Sequence, residues 1–101
     1  MTVEMGQTIA DGLRVSKAEP ITYQLNQDNV DYLITVAEQP IYRAVREAAL
    51  RGKIVAEPSA CVGLAAALDS RIDMRFGRKV CFVITGGNMD AQTLADILAD
   101  R

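Results

Sequence analysis

Val80-Cys81-Phe82-Val83-Ile84-Thr85-Gly86-Gly87-Asn88 is the stretch that decides how the rest of the chain is read. Five apolar residues in a row, three of them β-branched, make the pattern of a strand covered on both faces. The run stops at Thr85-Gly86-Gly87-Asn88. Asp90 is then a good N-cap for a helix whose apolar stripe is Leu94, Ile97 and Leu98. Strand, tight turn and helix in that order place open backbone amides, one hydroxyl and a helix N-terminus at the carboxyl edge of a sheet, where open α/β folds bind ligands. Spacing alone equally allows a Gly-Gly turn that only reverses the chain, since the sequence has neither a phosphate loop nor a dinucleotide fingerprint.

Upstream, Glu57-Pro58-Ser59 can open a helix that runs through Cys61-Val62-Gly63-Leu64-Ala65-Ala66-Ala67-Leu68. That helix is apolar all round, so it belongs inside a larger body. Lys53-Ile54-Val55-Ala56 reads as extended. Before it, Ile41, Val45, Ala48 and Ala49 recur at helical spacing, with Arg43, Arg46, Glu47 and Arg51 on a solvated opposite side. The pattern predicts an amphipathic helix over Glu38 to Arg51, ended by Gly52. Tyr32-Leu33-Ile34-Thr35-Val36 is β-branched and aromatic and predicts a strand. Ile21 and Leu25 fit a short helix after Pro20, and Met1 to Val15 reads as a loop that tightens at Asp11-Gly12. The alternation predicts one α/β domain over residues 1–101, a partial open sheet with packed helices.

Composition narrows the function classes. Half of the 101 residues are hydrophobic and 5% aromatic, which suits close-packed helices against a sheet and excludes disorder. A net charge of -2 and a pI near 5.0 leave no electrostatic footprint for nucleic acid. The chain has no histidine, which removes Ser-His-Asp and Cys-His nucleophiles and the usual zinc ligand sets; no catalytic residue and no metal site is predicted. Cys61 and Cys81 sit in apolar surroundings, so both are expected in the core, without a disulfide, in a cytoplasmic setting. No stretch reaches the length of a membrane span, and a soluble protein is expected.

Four segments together resemble a known family. Thr8-Ile9-Ala10-Asp11-Gly12-Leu13, Ile54-Val55-Ala56-Glu57-Pro58-Ser59, Gly63-Leu64-Ala65-Ala66 and Val83-Ile84-Thr85-Gly86-Gly87-Asn88-Met89-Asp90 occur in the order and approximate separation in which similar segments close the threonine dehydratases and serine racemases. The chain, from about Gln7 to Leu98, is similar to the C-terminal segment of these fold-type II pyridoxal-phosphate enzymes, part of their large domain. The resemblance implies a β-elimination on hydroxy-amino acids and assigns cofactor-binding roles. Thr85, where the dehydratases usually have Ser, would hydrogen-bond the pyridine nitrogen at the head of the Gly86-Gly87 turn. A neutral hydroxyl there does not hold the ring nitrogen protonated as a carboxylate does, which suits β-elimination. Gly12 would form a backbone wall beside the ring, and Glu57 would stand near it at the start of the central helix. Without the resemblance, Gly12 is a turn glycine and Glu57 a carboxylate favoured by a helix dipole.

The resemblance also marks what is missing. The family's Schiff-base lysine in a Ser-x-Lys-x-Arg setting, and its Gly-rich phosphate loop, have no counterpart here, and none of Lys17, Lys53 or Lys79 has the right context. The isolated chain is therefore expected to be inactive and to bind no pyridoxal phosphate by itself. It is read as an excised portion of a longer dehydratase or as a free-standing product that keeps the fold without the activity. The second reading makes it a self-associating α/β module whose Thr85-Gly86-Gly87-Asn88 edge holds a small anion or nothing. In either case an uncovered strand and an all-apolar helix cannot face water, so a homo-oligomer, with exchanged elements as one form, is expected.

Overall fold

Helix α1, Pro20–Asn29, and helix α2, Glu38–Leu50, share a chain but not a role. The computed structural model describes residues 2–72, 77 and 79–100. In α2 the buried side chains are Ile41, Ala44, Val45 and Ala48, a stripe at i, i+3, i+4 and i+7 that faces the core. Glu38 in its first turn suits the helix dipole. At the other end the N–H groups of Arg51 and Gly52 both donate to the Glu47 carbonyl, at 2.9 and 3.1 Å. The residue that turns left-handed is Lys53, with φ 58°, and its ammonium donates to the Leu50 carbonyl at 2.7 Å. Gly52 serves a different need, because a Cβ there would lie 2.8 Å from the Ala48 carbonyl oxygen.

A 3-10 turn over Pro58–Cys61 leads into α3, Val62–Leu68, which packs against α2. Its expected all-apolar character has a reason in the packing. Cys61, Ala65 and Ala66 are buried, and Val62, Leu64 and Leu68 are half-buried. Small side chains at the crossing let the two helix backbones approach closely. Helix α4, Ala91–Leu98, begins at Asp90 as read from the sequence and adds Ile97, 2% exposed, to the same core, which Ala10 and Ala56 complete.

Arg46 is a correction. Rather than lying on a solvated face, it is half-buried, and its Nε and Nη2 donate to the Ile97 carbonyl at 3.1 and 2.9 Å. Nη2 also meets Asp100 Oδ1 at 2.8 Å, so one guanidinium closes the C-terminus of α4 and ties it to α2. A planar fork of donors suits that task.

The open sheet does not form: among the described residues there is no β-strand. The two expected strands lie at the surface, with Leu33 at 86% and Val83 at 78% exposure. Cys81, expected in the core, is exposed as well, while Cys61 is buried and both are free thiols. The physical reason is that a helix satisfies its own backbone, whereas a strand depends on a ladder with a neighbour, and no ladder forms along either described segment. Phe82 of the Val80–Ile84 run lies against α3, where a Cβ on Gly63 would lie 3.3 Å from its ring. Helix α1 forms as expected, with Pro20 in its first turn, yet buries no residue. No described helix is long and apolar enough to cross a membrane.

Candidate functional site

Three segments far apart in sequence meet at one place: the 3-10 turn Asp11–Leu13, the Val55-Ala56-Glu57-Pro58-Ser59 stretch, and Thr85-Gly86-Gly87. The Glu57 N–H donates to the Gly86 carbonyl at 3.1 Å, and the Gly12 N–H donates to Ser59 Oγ at 2.9 Å. Glu57 is half-buried and its carboxylate lies between the two glycine turns. A Cβ on Gly86 would overlap Glu57 Oε1, and one on Gly12 would lie 2.8 Å from Ser59 Oγ and 3.9 Å from Glu57 Oε2. One on Gly87 would lie 2.7 Å from the Val55 carbonyl oxygen. At Gly87 close approach of backbone requires glycine, whereas at Gly86 and Gly12 a Cβ would displace the Glu57 and Ser59 side chains.

The sequence-predicted residues Gly12, Glu57, Gly86 and Gly87 are thus brought together. Thr85 precedes Gly86 and is exposed at the same turn. The arrangement offers uncovered backbone on two sides, one carboxylate as acceptor and one accessible hydroxyl, which suits a flat polar ligand. Among the described residues no group of three or more Cys, Asp and Glu could hold a metal ion.

Sequence reading missed two residues that hold this geometry. Ser59 was legible only as a helix opener, yet its hydroxyl fixes the Gly12 turn. Glu38 was legible only as the start of the amphipathic helix, yet its Oε2 accepts the Ile9 N–H at 2.9 Å and moors the N-terminal loop to α2 beside buried Ala10. Both contacts span long sequence separations, so no local pattern carries them. The N-terminus of α4 is filled by the chain itself. Asp90 accepts from the Thr93 hydroxyl and from the Thr93 N–H at 2.9 Å, and these bonds hold its carboxyl below the usual range. An outside anion therefore finds the Thr93 amide already taken.

Comparison with known proteins accounts for this convergence. A sequence profile of the family described as "Pyridoxal-phosphate dependent enzyme" matches residues 1–86. L-threo-3-hydroxyaspartate ammonia-lyase of Saccharomyces cerevisiae is 34% identical over 94% of this chain and 29% of its own length. L-threonine ammonia-lyase of Thermotoga maritima is 38% identical over 95% of this chain and 23% of its own. Among solved structures, the serine racemase from Dictyostelium discoideum superposes with a TM-score of 0.76 and 35% identity over 86% of this chain and 28% of that one. A threonine deaminase crystal structure superposes with a TM-score of 0.80 and 31% identity over 89% of this chain and 32% of that one. The chain spans less than a third of each relative's length. With the profile matched from the N-terminal loop through the Gly86 turn, and the glycine-lined site assembled from those same residues, the chain belongs to the pyridoxal-phosphate dependent enzyme family.

Proposed function

We propose that the chain supplies one wall of a pyridoxal-phosphate site, as the C-terminal segment of a threonine/serine dehydratase, and depends on the rest of that fold for catalysis. The observation that carries this reading is the convergence of Gly12 and Gly86 on the Ser59 and Glu57 side chains, with Gly87 close against the Val55 carbonyl. Turns without side chains on either side of Glu57 suit a planar heteroaromatic ring. Thr85 is the residue that hydrogen-bonds the ring nitrogen, and its neutral hydroxyl leaves that nitrogen without a counter-charge. Glu57 orients the two turns by holding the Gly86 carbonyl through its own N–H.

The fit extends to the wall only. Lys53 is turned onto the Leu50 carbonyl at the end of α2, and no lysine of the chain has the family's sequence context. Covalent attachment, the phosphate cradle and proton transfer at the substrate then fall to residues outside this segment. When bound, pyridoxal phosphate supplies the electron sink that lets a hydroxy-amino acid lose its β-hydroxyl. The names of the relatives point to threonine or 3-hydroxyaspartate as the class of substrate, and the two free thiols support a reducing, cytoplasmic setting.

The test is reconstitution. The chain is mixed with a polypeptide that carries the remaining part of a relative, including its lysine, and pyridoxal phosphate is added. Yellow absorbance that depends on both polypeptides, weakened by Thr85→Ala, is the expected result. A colourless mixture in which both partners are folded would sink the proposal.

A further inference from the structure

The two glycine turns of the candidate site come from distant parts of the chain, and one short segment reaches both. The Glu57 N–H donates to the Gly86 carbonyl at 3.1 Å, and two residues later Ser59 Oγ accepts the Gly12 N–H at 2.9 Å. Among the described residues, the Ser59 bond is the one hydrogen bond that ties the Asp11–Leu13 turn to another segment. The other bonds of that turn run to Ala10, Arg14 and Val15, its own neighbours.

The segment between the two contacts is stiff. The ring of Pro58 locks its own φ and restricts Glu57 before it to extended backbone, here φ -69° and ψ 156°. Pro58, Ala60 and Cys61 are buried, so the 3-10 turn that carries Ser59 is anchored in the core. Ser59 itself is half-buried and faces the Gly12 turn. Its Oγ and Cβ lie 2.8 and 3.2 Å from the place a Gly12 Cβ would take, so the turn rests on this side chain as well as bonding to it.

We infer that Ser59 is a positioning residue for the cofactor site: at the end of the rigid Glu57-Pro58-Ser59 bracket, it holds the Gly12 wall at a set spacing from the Gly86 wall. The inference rests on reading these turns as walls for pyridoxal phosphate. Ser59 acts through Gly12 and needs no contact with the ring. A slot whose width fluctuates must be ordered each time a ligand enters, so a fixed spacing favours binding and holds the ring in one pose. One neutral, partly exposed hydrogen bond sets the size of the effect, about fivefold in affinity.

Ser59→Ala and Ser59→Thr test it at two levels. In the 101-residue chain alone, Ser59→Ala should speed hydrogen exchange of the Gly12 amide by about fivefold while the helical circular dichroism stays at the parent level. Ser59→Thr, which keeps the hydroxyl, should restore the slow rate. In the complex with the complementary polypeptide, Ser59→Ala should bind pyridoxal phosphate about fivefold more weakly. At saturating cofactor the visible circular dichroism of the bound ring, which reads how the ring is held and not how stable the fold is, should fall in Ser59→Ala and return in Ser59→Thr. A Gly12 amide indifferent to Ser59→Ala overturns the inference, as does a threonine variant no better than the alanine one. Unchanged ring dichroism in a coloured Ser59→Ala complex overturns it while leaving the wall reading intact. A Ser59→Ala chain that loses its helical signal would make the hydroxyl a part of the fold and overturns it too. A parent complex that stays colourless with both polypeptides folded brings down the wall reading, and the inference with it.

Discussion

The α2–α3–α4 half of the chain and the two non-helical apolar runs have much the same kind of side chain and opposite fates. Val45, Cys61 and Ile97 are almost wholly buried, whereas Leu33 and Val83 stand in solvent. Hydrophobicity does not separate these groups; backbone accounting does. Each helix closes its own hydrogen bonds and can then offer a stripe to its neighbour. The Tyr32–Val36 and Val80–Ile84 runs would need a ladder partner, and Phe82 against α3 and Val36 against the core make contact by another route. The candidate site sits at the boundary, where the Glu57–Gly86 bond joins the two regimes.

The contrast can be broken most directly at Ile97. Ile97→Ala should cost about 2–5 kcal/mol in urea unfolding followed by circular dichroism, a large share of a small domain's stability. An unchanged midpoint would mean that α4 does not complete the core. The two thiols compare the regions within one molecule. Burial pushes the Cys61 thiol up from its ordinary range, and the side chain is out of reach of solvent, while Cys81 is exposed. In dilute native protein a thiol reagent should modify Cys81 at least ~100-fold faster than Cys61, with Cys61 reacting only as the core opens. Equal rates would contradict the burial.

Two glycines sharpen the boundary itself. Gly87→Ala sets a methyl against the Val55 backbone carbonyl and should destabilise by about 1–3 kcal/mol, because backbone must yield. Gly86→Ala meets only the mobile end of Glu57 and should cost less, about 1 kcal/mol or under, while displacing the carboxylate. Thermal unfolding of both variants checks the order, and a reversed order would undo this account of the site. The smallest effect is expected at the α4 cap. The folded-state carboxyl of Asp90 is held low, so its contribution is present above the unfolded carboxyl value and fades as pH falls through the lowered one. Amide exchange in α4 should accelerate in that acid window, and Asp90→Asn, which keeps the capping oxygen, should flatten the dependence.

The sequence by itself determined the helices, because their signals are local: the apolar stripe of α2, Pro20 in the first turn of α1, Pro58 ahead of α3, and Asp90 three residues before Thr93. It also named Gly12, Glu57, Gly86 and Gly87 through motif order, although spacing alone could not tell a ligand wall from a plain turn. The tertiary structure alone decided that these residues share one place, that Ser59 and Glu38 hold them there, and that Arg46 closes another helix rather than facing water. It also decided against the sheet. A β-forming run states only a preference for extended backbone, and whether that preference becomes a strand rests on a partner that no local pattern can supply.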